Sequence, residues 1–171
     1  MVVVYGGFIA LDIGDRMIGY ANFGSSSSRV VDRGVFKGGG KKQLLKTTRG
    51  HIAESGVKRV VVGMPFHTET GEITAQGAKI ITFTQLLISE DLIENSSSFQ
   101  IYCVDESFTS REAVEVLGAH QKKKRQHEKG KGNIDASAAE AIGKRYLEGE
   151  PSYKIYTLEE CAAMLDSSSS N

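Results

Sequence analysis

The 171-residue chain carries 21 basic and 21 acidic residues, so overall charge does not draw it to nucleic acid, and a hydrophobic share of 40% is enough for one layered domain. Two cysteines remote in sequence, Cys103 and Cys161, make neither a disulfide framework nor a metal motif, which favours a reducing compartment. Nothing approaches the ~20 apolar residues of a membrane span, and the N-terminus MVVVYGGF has no basic leader region; a soluble, cytoplasmic protein without membrane association is expected, or one of an organellar stroma or matrix in a eukaryote.

In chain order, the stretch Phe8 to Ala21 (FIALDIGDRMIGYA) opens with a strand that sends Phe8, Ala10 and Asp12 to one face and Ile9, Leu11 and Ile13 to the other. A strand apolar on both faces sits centrally in its sheet, where an ionised carboxylate is costly unless compensated. Asp12 therefore calls for a cation; the competing reading is an Asp that merely caps a turn. Gly14 and Gly19 bracket a turn through Asp15 and Arg16, and Ile18, Tyr20 and Phe23 resume the alternation as a second strand. After the polar tip Ser25 to Ser28, Arg29 to Phe36 completes a three-strand antiparallel meander.

Gly38 to Gly40 break the chain before a helix over Lys41 to Ser55 that Gly56 ends. Lys58 to Gly63 (KRVVVG) reads as a buried parallel strand, followed by the loop MPFHTETGE and a helix from Ile73 to Glu90. A second serine tip, Ser96 to Ser98, precedes the strand Phe99 to Val104, which stops at Asp105 and Glu106. Thr109 and Glu112 have capping-box spacing for a helix running to Gly118. His120 to Lys131 lacks apolar periodicity and gathers Lys122, Lys123, Lys124 and Arg125 in a basic loop. Asn133 caps a helix over Ile134 to Glu148.

This order predicts an α/β domain over residues 1–150: a mixed five-stranded sheet, made of the three-strand antiparallel meander plus two parallel strands, flanked by helices. Residues 151–171 form a C-terminal extension with a strand and a helical turn, ending in a disordered Ser-rich tail. Sites on such sheets gather at the carboxyl ends of the parallel strands, where Asp12, the loop after Gly63 and the Asp105 and Glu106 pair arrive. Asp135 joins them by helix geometry, since Ala138, Ala139 and Ile142 at i+3, i+4 and i+7 share its face. The plain alternative is an acid favoured in a first helical turn. Carboxylates converging from separate elements repel unless hard divalent cations neutralise them, which points to Mg²⁺ or Mn²⁺ with all-oxygen ligands.

LDIGDRMIGYA, VVVGMP with its acidic, glycine-containing loop, DESFTSREA and NIDASAAEAI stand in the order and spacing of the YqgF/RuvX family, which this chain resembles over about residues 8–148. The resemblance implies an RNase H-like fold, two-metal phosphodiester hydrolysis, kinship to Holliday junction resolvases and a role in maturing the 5′ end of pre-16S rRNA. It makes Asp12, Glu106 and Asp135 the catalytic metal ligands, with Asp105 the alternative for the middle one. RNA is then the favoured partner, branched DNA the second, and the ribosome or a pre-ribosomal particle the setting. Two departures stand out. Ser107 occupies a position where the family usually has Arg, and Ala138 a position where related resolvases carry another acid. These leave room for a catalytically silent nucleic-acid-binding module. An ATP-binding domain of the actin and sugar kinase kind also uses a D-x-G hairpin, but needs a second one that this chain lacks. Arg16 and the run Lys122, Lys123, Lys124 and Arg125 are candidate phosphate contacts, each with a solvated turn or loop as its alternative. His67 in the loop after the fourth strand is a weaker candidate of the same kind.

Overall fold

The structure, a computed structural model, describes residues 7–25, 29–89, 99–106 and 131–169, with the side chains of 131–134, 168 and 169 left out. The capping-box helix, the basic run at 122–125, Ser107 and both serine tips apart from Ser25 lie outside the described residues.

Strands β1 (Phe8–Ile13), β2 (Met17–Phe23) and β3 (Val30–Lys37) form the expected meander. Helix α1 (Gly40–Ser55) leads to β4 (Arg59–Met64), α2 (Ala75–Leu87) and β5 (Gln100–Asp105). A helix over Lys131–Glu148, here α3, then precedes β6 (Ile155–Thr157) and a last helix, α4, over Leu158–Ser169. The sheet runs β3-β2-β1-β4-β5-β6, with β1, β4 and β5 mutually parallel and the outer pairings antiparallel.

Six strands replace the expected five. Ile155–Thr157 pairs with Tyr102–Val104 and covers the outer edge of β5, whose backbone groups would otherwise be open to another chain. The strand expected in the C-terminal extension thus joins the sheet, which three residues are too few to show from alternation alone. The tail is also more ordered than its sequence suggests: the helical turn is a full helix through Ser169, and Leu158 and Cys161 are buried in the core. Cys103 of β5 and Cys161 of α4, far apart in sequence, hydrogen-bond through their thiols. Helix α2 starts later than its apolar pattern because Thr74 caps it, accepting from the Gly77 amide at 3.0 Å, while Ile73 bridges to Phe66. Helix α3 is already formed at Lys131, so Asn133 lies inside it rather than at its cap.

The sheet is covered on both faces, as the apolar runs of its central strands require. Phe8 and Ala10 pack with Phe23, Val61, Val104 and the α3 residues Ala139 and Ile142. Ile9, Leu11 and Ile13 face the other way, into a larger core built with α1, α2 and α4. Each such Leu or Ile contributes about 1.5–3 kcal/mol on burial. Among the described residues no helix is long and apolar enough to cross a membrane.

Candidate functional site

Alternation along β1 carries Asp12 to the α3 face, the side on which Phe8 and Ala10 pack. Two glycines let the other elements close on it. Gly19 lies opposite Asp12 across the hairpin, and the backbone of Asp135 rests directly on it; a Cβ there would collide with the Asp135 carbonyl and come within 3.2 Å of the Ala136 amide nitrogen. Gly63 of β4 leaves room for Glu106, whose Oε2 would stand 2.7 Å from a Cβ at that position. The Glu106 amide donates to the Met64 carbonyl at 3.1 Å, extending the β4–β5 pairing one residue past the strand and fixing where that side chain emerges.

The Asp12 and Glu106 carboxyl groups hydrogen-bond to each other. Burial, followed by the negative charge of Asp135, pushes Asp12 up to about 6, and the bond from Glu106 works in the opposite direction. Burial also lifts Glu106, to about 8, reinforced by the charge of Asp12, the bond to it and the charge of Asp105, and offset in part by the Arg145 guanidinium. The pair thus retains a proton near neutrality, held in the hydrogen bond between the two carboxyls. Asp135 is half-buried and, with Asp12, Met17 and Arg16, lines a groove of about 360 Å³ beside the hairpin turn. Arg16 stands exposed in this groove. Ala138 is buried one helical turn beyond Asp135.

Asp105 takes the opposite side of the strand end from Val104 and Glu106 and lines a separate groove with Phe66 and His67. Its carbonyl accepts from Arg145 Nη1 at 2.7 Å. Sequence reading overlooked Arg145, which is only 7% exposed. Its signal is a cation three residues after Ile142, on the apolar stripe of α3 where a charge needs a partner.

Among the described residues, no three His, Cys, Asp or Glu side chains form a ready-made metal site. The donor chemistry of the acids nevertheless suits a hard divalent cation: two half-buried carboxyls already in contact, sharing a proton where a cation could replace it, with a third acid close enough to act electrostatically on Asp12.

The model of the RuvX family, described as Holliday junction resolvase, matches residues 6–149. A protein of Desulforudis audaxviator named "Putative pre-16S rRNA nuclease" is 29% identical over 144 residues, covering 84% of this chain and 95% of the relative. A protein of the same name from Thermus thermophilus is 29% identical over 146 residues, covering 81% and 94%. Among solved structures, T. thermophilus RuvC in complex with a Holliday junction substrate aligns over 82% of this chain and 94% of its own, at 13% identity and a TM-score of 0.49. The Fowlpox virus resolvase in its Holliday junction DNA complex aligns over 82% and 96%, at 15% identity and a TM-score of 0.49.

Proposed function

Because the chain belongs to the RuvX family, we propose that it is a metal-dependent nuclease that hydrolyses phosphodiester bonds, with the 5′-end processing of pre-16S rRNA as its task. The names of its relatives support the substrate, and the touching Asp12 and Glu106 carboxyls support the chemistry. In this reading Asp12, Glu106 and Asp135 hold Mg²⁺ or Mn²⁺. The bound ions supply charge neutralisation and activation of water for in-line displacement at phosphorus, so no protein nucleophile is needed. The residues of the chain have separate tasks. Asp12 and Glu106 fix the ligand positions from β1 and from the end of β5, two parallel strands of a rigid sheet with Gly63 of β4 between them. Asp135 closes the site from the helix above, and Arg16 offers a guanidinium to a phosphate entering beside the hairpin. Lys122, Lys123, Lys124 and Arg125 hold the nucleic-acid backbone through its phosphates. RNA in a pre-ribosomal particle is the partner, the cytoplasm the setting, and residues 1–150 the catalytic unit.

One observation favours a second reading, a nucleic-acid-binding module without turnover: Ala138, buried one helical turn beyond Asp135, supplies no further acid there. Incubation with labelled pre-rRNA leader, single-stranded DNA and a four-way junction, in Mn²⁺, Mg²⁺ or EDTA, separates the two. Metal-dependent cleavage of the leader is expected, and Asp12→Asn should lower it more than about a hundred-fold, beyond what loss of an outer-shell partner costs. Binding without cleavage under every metal supports the silent module instead. Cleavage by Asp12→Asn at the wild-type rate removes the proposed site.

A further inference from the structure

Beside the acid pair, on the other side of the β5 end, lies an open groove of about 620 Å³ that the chemistry of phosphodiester cleavage does not use. One wall is the loop after β4, braced by the His67 amide bonding the Glu72 carbonyl and the Gly71 amide bonding the His67 carbonyl, both at 2.8 Å. The other wall is the segment leading into β6. Aromatic faces come from both sides: Phe66 and Tyr156 meet with ring centroids 5.5 Å apart at 48°, and the Arg145 guanidinium lies 4.8 Å from the centre of the Tyr153 ring. Arg145 is held by the Asp105 carbonyl, and exposed Lys154 and His67 stand at the rim.

We propose that this groove binds one nucleotide of a single strand next to the bond being cut, its base stacked on the aromatic walls and its phosphate facing the exposed Lys154. The inference rests on the nuclease reading and adds the substrate form to it. Flat apolar faces alternating with cations are what an unstacked base and its phosphate require, and a base inside a duplex cannot present its face to a side chain. The volume suits a ligand of that size. Asp105 and Glu106 are adjacent, so the groove begins one residue from the acid pair, and a strand lying across the sheet edge reaches both.

Short single-stranded RNA and DNA carrying 2-aminopurine at successive positions provide the test, bound in Ca²⁺ to the Asp12→Asn protein so that binding is read without cleavage. Quenching at one position, in either RNA or DNA, is expected. Phe66→Leu, which keeps apolar volume but removes the flat face, should abolish the quench and weaken binding about ten-fold. Lys154→Ser, on the exposed rim, should lower the salt slope of log affinity by about 1 while the melting temperature stays put. Quenching spread evenly along the strand, binding to duplex alone, absence of single-strand binding, or variants that bind like their parent would each overturn the groove. Wild-type cleavage of single strands with such an indifferent groove defeats this inference and leaves the nuclease reading standing. A position-specific quench in a protein that never cleaves does the reverse.

Discussion

At the scale of single residues, Asp12 and Glu106 make the metal-free fold sensitive to pH in a definite direction. Their carboxyls titrate near 3.8 and 4.5 in an unfolded chain and are raised to about 6 and about 8 in the fold, so between these limits the native state binds more protons than the unfolded state. That contribution to stability is complete below about 4 and is lost as pH rises through 6 and 8. The metal-free protein is therefore expected to melt lower at pH 8 than at pH 5. Glu106→Gln, which keeps the hydrogen bond without the charge, should raise the melting temperature at pH 8 and change it little at pH 5. Mn²⁺ should stabilise the wild type more at pH 8 than at pH 5, because it competes with protons for the same oxygens. Melting curves at the two pH values, in EDTA and in Mn²⁺, check all three. A Glu106→Gln protein destabilised at pH 8 would show that the two carboxyls do not repel.

At the scale of elements, the close approach of α3 to the hairpin depends on Gly19, while Gly50 in the middle of α1 has nothing within 4 Å of a Cβ. Gly19→Ala should cost about 1–3 kcal/mol, because the new methyl meets backbone that cannot turn aside. Gly50→Ala should stabilise by about 0.5–1 kcal/mol, since it only stiffens an exposed helical position. Urea unfolding of both variants measures the difference, and equal effects would mean that α3 does not rest on the hairpin. Much of this geometry was legible in the chain. Period two put Asp12 on the face of Phe8 and Ala10, and period 3.6 put Asp135 on the face of Ala139 and Ile142; those four apolar residues pack in one cluster. The distinction between Asp105 and Glu106 was not legible, because two adjacent acids at a strand end look alike until the register with Gly63 and Met64 fixes which one turns toward Asp12. Arg145 escaped notice because a cation near a helix end is ordinarily a solvated one.

At the scale of the molecule, the C-terminal segment matters more than its low-complexity ending suggests. Residues 151–169 cover the edge of β5, insert Leu158 and Cys161 into the larger core and supply one wall of the aromatic groove. Burial of Leu158 alone contributes about 1.5–3 kcal/mol. A chain ending at Glu150 is expected to melt well below the full-length protein and to self-associate through the bared strand, as read by calorimetry and by size-exclusion chromatography with light scattering. A truncated chain that stays monomeric and equally stable would make the segment a dispensable appendage to a domain of residues 1–150. Its β-strand was legible in the sequence but its place was not: three residues carry too few alternations to assign a partner, and only the open edge of β5 gives them one.

The central position of β1 has a consequence in time. Asp12 is synthesised first, but its partners Glu106 and Asp135 follow 94 and 123 residues later, counting 106 − 12 and 135 − 12. At roughly 5–20 residues per second, the later interval lasts about 6–25 s. Until Glu106 is made the growing chain holds the hairpin and only one of the three acids, and β1 lacks even its parallel neighbour until β4 is made. A chain released early cannot carry the three acids, so the capacity proposed here to cut RNA is withheld from unfinished copies by the order in which the polypeptide is made.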